Sequence, residues 1–334
     1  MSRTPYVITC LPRRSCSEPH GRAPGGRTVL LWGISSDGPL ASVRAALRRM
    51  GARATFLDQQ QVLQSKIELT CDTEVDGRLE TPDWSADLAS VAAIYLRPYD
   101  TRRMGALHGS RPGAQKLRRA FAFEDVLTCW FEITPALVIN RPTAMASNNS
   151  KPCQLEVIRA AGFAVPDTLV TTDPAAAAEF WEQHGEVIYK SVSGVRSIVT
   201  RLRPEHRERL QDIAHCPEQL QQYIAGVDFR VHVVGHEVFG CEISSNADDY
   251  RYPGRQGADV EVKSCSVPAE IADRCRQCAT ALNLPVAGLD LRRDATGTWY
   301  CFEANPSPGF SFYEEATGQP IVGDAIARLL AAAG

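Results

Sequence analysis

The sequence predicts an α/β protein: a small parallel strand–helix–strand unit, then a larger α+β unit rich in antiparallel hairpins. Three observations carry this reading. Short apolar runs alternate with amphipathic stretches between residues 28 and 132, and β-rich runs arrive in pairs after Pro135. The length of 334 residues leaves room for two or three domains of roughly 100–200 residues each.

In order along the chain, residues 1–27 hold five arginines, four prolines and three glycines without periodicity, which reads as a flexible N-terminal segment. Thr28-Val29-Leu30-Leu31-Trp32 is a strand stopped by Gly33; Leu40 to Met50 is an amphipathic helix closed by Gly51; Ala54 to Leu57 is a second strand. Val91 to Leu96 and a helix around Ala114 to Glu132 complete a first domain over residues 28–136. Beyond it, Leu155 to Ala161 is a helix ended by Gly162, and Thr172-Asp173-Pro174 caps another that runs to His184. Glu186 to Lys190 and Ser197 to Leu202 form strands around a polar loop, followed by strands at Gln219 to Ile224, Phe229 to Val234 and Glu237 to Ile243. A helix at Ile271 to Leu282, a late hairpin and a terminal helix from Pro320 to Ala333 close the chain.

Composition narrows the function classes. Hydrophobic residues at 44% and charged residues at 22% exclude disorder, collagen and coiled coil as whole-chain readings. A net charge of -3 gives no electrostatic footprint for nucleic acid, and no run approaches the roughly 18 apolar residues of a membrane helix. Eleven cysteines, an odd number spread from Cys10 to Cys301, do not make a disulfide framework, and Cys275 with Cys278 lacks the second pair of a zinc site. Reduced thiols and a cytoplasmic location are the expectation, since no apolar signal region opens the chain. Plain hairpin residues are the reading for His232 and His236, four apart around Gly235.

Familiar nucleotide cradles are missing. After Trp32 comes Gly33-Ile34-Ser35-Ser36-Asp37-Gly38, not G-x-G-x-x-G, and none of the five lysines follows a glycine, which excludes a Walker A loop. The strongest chemical signal is late: Val286-Ala287-Gly288-Leu289-Asp290-Leu291, a turn from Asp294 to Thr298, then Trp299-Tyr300-Cys301-Phe302-Glu303-Ala304-Asn305. Alternation puts Glu303 and Asn305 on one face and Phe302 with Ala304 on the other. With a four-residue turn, Asp294 faces Trp299 and Asp290 lands opposite Glu303. Two carboxylates and an amide oxygen that close repel unless a cation lies between them, and hard oxygen ligands suit Mg²⁺. Against this stands an ordinary half-exposed hairpin face. The scarcity of lysine, five against 31 arginines, draws attention to Lys190 at the end of an apolar strand and to Lys151 at a helix start.

These blocks together resemble the ATP-grasp ligases, in particular the branch with ribosomal-protein glutamate ligases and graspetide (microviridin-type) peptide macrocyclases. The matching stretches are Lys151 with Gln154-Leu155, Gly162 to Thr168, Val187-Ile188-Tyr189-Lys190, Leu220 to Ile224, Gly226-Val227-Asp228-Phe229-Arg230-Val231, Gly288-Leu289-Asp290 and Phe302 to Pro306. The resemblance covers roughly residues 137 to 330. It implies an ATP-grasp central subdomain over 137–224 and a C-terminal subdomain with the metal site over 225–334.

It implies roles as well. Lys151 and Lys190 would contact ATP phosphates under a loop holding Ser193 and Gly194. Gln221, Gln222, Tyr223 and Ile224 would form the adenine hinge, with Asp228 beside it. Asp290, Glu303 and Asn305 would hold Mg²⁺, with Mn²⁺ as the alternative ion. Arg230 would neutralise charge on the phosphoryl group or substrate carboxylate, and Arg251, in an Asp-aromatic-Arg element, would face the substrate. The implied function is an ATP-dependent carboxylate–amine ligase acting on an amino acid or peptide, with a homodimer left open. Two alternatives stand beside it: macrocyclisation of a ribosomal precursor peptide, and a non-catalytic ATP-binding protein on the same fold.

Overall fold

The computed structural model describes residues 27–72, 75–104, 113–191, 199–245, 260–318 and 321–333. β1 (Thr28–Gly33) is buried along its whole length, because both of its faces are covered. α1 (Gly38–Arg49) starts where Asp37 accepts a hydrogen bond from the Leu40 N–H at 2.8 Å, and it buries Leu40, Val43, Ala46 and Leu47 on one stripe. β2 (Ala54–Asp58) returns parallel to β1. β3 (Lys66–Cys71), β4 (Val75–Glu80) and β5 (Ser85–Asp87) then form a small antiparallel sheet that the sequence reading did not foresee. β6 (Val91–Arg97), α2 (Gly113–Ile133) and β7 (Leu137–Ile139) complete a parallel sheet of order β2-β1-β6-β7.

After a short α3 (Pro142–Met145), α4 (Lys151–Ala160) leads into β8 (Thr168–Thr171) and α5 (Pro174–His184). As the sequence predicts, Asp173 caps α5, accepting from the Ala175 N–H at 2.9 Å. β9 (Val187–Ser191), β10 (Thr200–Arg201) and β11 (Glu218–Gln222) join β8 in an antiparallel sheet of order β10-β9-β11-β8. One face of it packs Val187 and Leu220 against Ala177 and Trp181 of α5 and Leu210 and Ile213 of a 3-10 stretch.

β12 (Val227–Val234), β13 (Glu237–Ser245), β14 (Val260–Cys265), α6 (Ala269–Ala281), β15 (Val286–Arg293) and β16 (Trp299–Asn305) follow. Their five-stranded sheet has the order β14-β13-β12-β15-β16 and is backed by α4 and α6 through Leu155, Ile158, Ile271 and Cys275 against Val231, Leu289 and Ala304. Cys275, Cys278 and Cys301 are free and buried in that core, and burial pushes the Cys275 and Cys278 thiols up to about 12. They are inert packing residues.

α7 (Ser311–Thr317) and α8 (Ile321–Ala333) end the chain. α8 does not stay with the late sheet alone: Val322, Ile326 and Leu330 share a core with Val29, Leu31, Val43 and Leu47 of the first unit. The opposite face of the parallel sheet presents Leu30 and Trp32 to Leu127 and Trp130 of α2. No described helix is long and apolar enough to cross a membrane.

Two side chains, the buried Asn140 and the partly buried Arg97, fix the late hairpin and the segment after it to the first unit. Asn140 donates to the carbonyls of Val286 (2.7 Å) and Pro306 (2.5 Å) and accepts from the Val286 N–H (3.2 Å). Arg97, paired with Asp37 at 2.9 Å, donates to Ser307 Oγ and the Pro308 carbonyl at 3.0 and 2.9 Å. Its guanidinium is therefore spent on architecture. Arg102 pairs with Asp100 at the surface.

Candidate active site

The hairpin brings the foreseen carboxylates together, by a route the sequence did not reveal. Arg293, not Asp294, faces Trp299, so the turn spans five residues, Asp294 to Thr298. A bulge between Asp290 and Leu291 on the β15 side of the register, with Phe302 as the extra residue of β16, then restores Asp290 opposite Glu303. The bulge also overturns the expected apolar pairing of Phe302 with Ala304. Ala304 is fully buried in the core with Cys301, whereas Phe302 is half-buried, its ring 5.4 Å from the Arg292 guanidinium.

Across three strands, Arg230, Asp290 and Glu303 stand in one row of the register. Arg230 Nη1 lies 2.5 Å from Asp290 Oδ1, and Lys151 Nζ, at the start of α4, lies 3.6 Å from Glu303 Oε2. Lys151 is delivered there by a double hydrogen bond further along its helix. Gln154 donates to the Ala304 carbonyl at 2.8 Å and accepts from the Ala304 N–H at 3.0 Å, locking α4 onto β16. Two neighbouring carboxylates thus fold with a cation beside each.

In the next row His232, Gly288 and Asn305 align. A Cβ on Gly288 would sit 2.3 Å from Arg230 Nη2 and 2.6 Å from the Pro308 Cβ, so only glycine lets the guanidinium lie flat over the sheet. His232 lies in the β12–β13 hairpin, as read, but it is buried there and accepts from Arg230 Nε at 3.4 Å. Burial, with the Arg230 charge added, holds its pKa well below the ordinary imidazole value. Asn305 Oδ1 accepts from the Ser307 N–H at 2.9 Å, which fixes the amide orientation.

Asp290, Glu303 and the Asn305 oxygen fit a hard divalent cation. Among the described residues no three His, Cys, Asp or Glu side chains converge as a closed metal cluster. Such a sparse donor set suits Mg²⁺, which usually takes one or two carboxylates and completes its shell with water and phosphate oxygens.

On the four-stranded sheet, Lys190 and Gln221 are buried, and Lys190 Nζ donates to Gln221 Oε1 at 3.3 Å while Gln221 Nε2 donates to Thr168 Oγ1 at 2.9 Å. The hinge follows directly. The N–H groups of Gln222 and Tyr223 are engaged with the carbonyls of Asp167 and Glu186. Among the described residues the Tyr223 carbonyl and the Ile224 N–H make no hydrogen bond; as the two ends of one trans peptide they point to opposite sides.

Asp228 acts on this hinge at one remove. Its carboxylate binds Arg292 through two hydrogen bonds, 2.7 and 2.8 Å, and Arg292 donates to the Ile224 carbonyl at 2.6 Å. Arg292 went unnoticed in the sequence. The signal for Arg292 was its place two residues after Asp290, on the same face of β15. Ser193, Gly194 and Arg251 lie outside the described residues.

Residues 146–329 match the RimK-like ATP-grasp domain. The chain belongs to that family. A probable alpha-L-glutamate ligase of Mannheimia succiniciproducens is 27% identical over 201 residues, 57% of this chain and 66% of that protein, so the chain spans just under two thirds of that relative's length. Among solved structures, the ATP-grasp ligase PsnB, complexed with a minimal precursor, superposes with a TM-score of 0.73 and 26% identity over 92% of this chain and 100% of PsnB. The macrocyclase MdnC of Microcystis aeruginosa, bound with its precursor peptide MdnA, shares the fold at a TM-score of 0.77, with 20% identity over 91% and 99% of the two chains.

Proposed function

We propose that the chain is an ATP-dependent ligase that joins a carboxylate to an amine, or to a hydroxyl, through an acyl phosphate. The observation that carries this reading is the row Arg230–Asp290–Glu303 capped by Lys151. ATP would lie with adenine on Tyr223 and Ile224 and its phosphates toward Lys190 and Lys151. Asp290, Glu303 and Asn305 would hold Mg²⁺, which supplies charge neutralisation on the phosphates when bound.

In this reading the substrate carboxylate attacks the γ-phosphorus and ADP leaves. The incoming amine then displaces phosphate from the acyl phosphate, giving an amide. The protein contributes position and preorganised charge. Arg230, held flat by Gly288, His232 and Asp290, would set its guanidinium charge against the phosphoryl oxygens or the substrate carboxylate.

A peptide as the carboxylate donor is supported by the likeness to PsnB, which is 26% identical and was solved with a minimal precursor. A non-catalytic role sits poorly with a site that keeps both lysines and all three oxygen ligands. The test is Mg²⁺-dependent ADP release with pooled amino acids or with an acidic precursor-type peptide. Release stimulated by the peptide supports the proposal; failure of the protein to bind Mg²⁺·ADP at all overturns it.

A further inference from the structure

One polar side chain beside the site is left without work by the reading above. Gln219 on β11 is 1% exposed, and both its amide nitrogen and its amide oxygen are buried without a hydrogen-bond partner among the described residues. Buried amides in folded proteins are nearly always bonded, so an orphaned one calls for a ligand or a function. Its position is defined by the register. Gln219 pairs with Lys190 of β9 and alternates with Leu220, which faces the α5 core. It therefore shares a face with Lys190, Gln221 and Thr168, which already form a bonded chain across the sheet. Gln221 is satisfied within that chain, whereas Gln219, opposite Lys190 in the register, is not.

We infer that Gln219 is a nucleotide-binding residue that donates its amide N–H to a phosphate oxygen of the nucleotide held by Lys190. This rests on the ATP-binding reading above. The polar chemistry fits a phosphate. Lys190 supplies a point charge and the amide a directed neutral donor, a pair that holds an anion without adding a second buried charge. The cost is carried by the nucleotide-free protein, where the amide has neither water nor partner.

Two consequences of opposite sign separate this role from a structural one. Replacing Gln219 by Leu, or by Met, which is close to it in length, removes an unsatisfied buried amide, so the nucleotide-free protein should melt at the same temperature or higher. The same variants should bind Mg²⁺·ADP about 10-fold or more weakly, the loss expected for a hydrogen bond to a charged group, while affinity for adenosine changes less than about twofold.

Calorimetric titration of wild type, Gln219→Leu and Gln219→Met with Mg²⁺·ADP and with adenosine makes the test. A selective loss for ADP in a variant of undiminished melting temperature supports the inference. Unchanged ADP affinity, an equal loss for adenosine and ADP, or a lowered melting temperature in both variants overturns it. Wild type that binds neither ligand would overturn the ATP-binding reading itself, and the inference with it.

Discussion

On the five-stranded sheet the three acidic side chains near the site each have a cation beside them: Asp290 has Arg230, Glu303 has Lys151 and Asp228 has Arg292. On the four-stranded sheet Lys190 meets the amide of Gln221, and Gln219, opposite it in the register, has no hydrogen-bond partner among the described residues. The difference teaches how the charge of such a site is stored. A cluster of carboxylates cannot fold unneutralised, so its cations must be built in and later shared with the ligand. The four-stranded sheet instead sets its buried ammonium group against neutral amides, an arrangement that in the proposed reading is completed by the phosphate of the nucleotide.

The sharpest way to break this contrast is on the carboxylate side. Glu303→Gln should lower ADP release roughly 10² to 10³-fold, the usual cost of losing a preorganised electrostatic contact, with an unchanged circular dichroism spectrum. A folded variant that still turns over ATP would remove Glu303 from the site. Next in size, Gln154→Ala strips the Ala304 N–H and carbonyl of their partner and loosens α4 under Lys151. We expect a stability loss of about 2–3 kcal/mol in urea unfolding and weaker nucleotide binding. A variant as stable as wild type would show that α4 is held by packing alone.

On the other sheet, Lys190→Ala should raise the ATP concentration needed for half-maximal ADP release about 10-fold and leave the melting temperature nearly unchanged. An unchanged ATP response would place Lys190 outside the phosphate path. The smallest effect concerns His232. Its folded pKa is depressed by burial while the unfolded imidazole titrates near ~6.5, so the unfolded state binds more protons as pH falls. The stability is fully present above that value and is lost at about 1 kcal/mol per pH unit below it. Urea midpoints measured from pH 7 to 5 should fall in wild type and fall less in His232→Gln.

The sequence made the chemistry legible where residue type was scarce or periodic. Five lysines among 36 basic residues singled out Lys151 and Lys190, and strand alternation put Glu303 and Asn305 on one face. It could not show what depends on a single inserted residue: the bulge at Phe302 is invisible in the pattern, and the Asp290–Glu303 pairing followed from a turn one residue too short. The sheet β3-β4-β5 was missed although its alternation is in the sequence: Ile67 and Leu69, with Val75 and Leu79, form one apolar face on the core, but the strands are short and densely charged on the other face. His232 and Gln219 look like unremarkable strand residues until burial shows that neither reaches water.

The most direct test of one shared site is Mn²⁺ binding followed by electron paramagnetic resonance, with and without ADP, in wild type and in an Asp290→Asn, Glu303→Gln double variant. Wild type should bind Mn²⁺ tightly only when ADP is present, and the double variant should lose that nucleotide-dependent signal. A double variant that binds Mn²⁺·ADP like wild type would contradict the account, because the metal would then be held somewhere other than the β15–β16 hairpin.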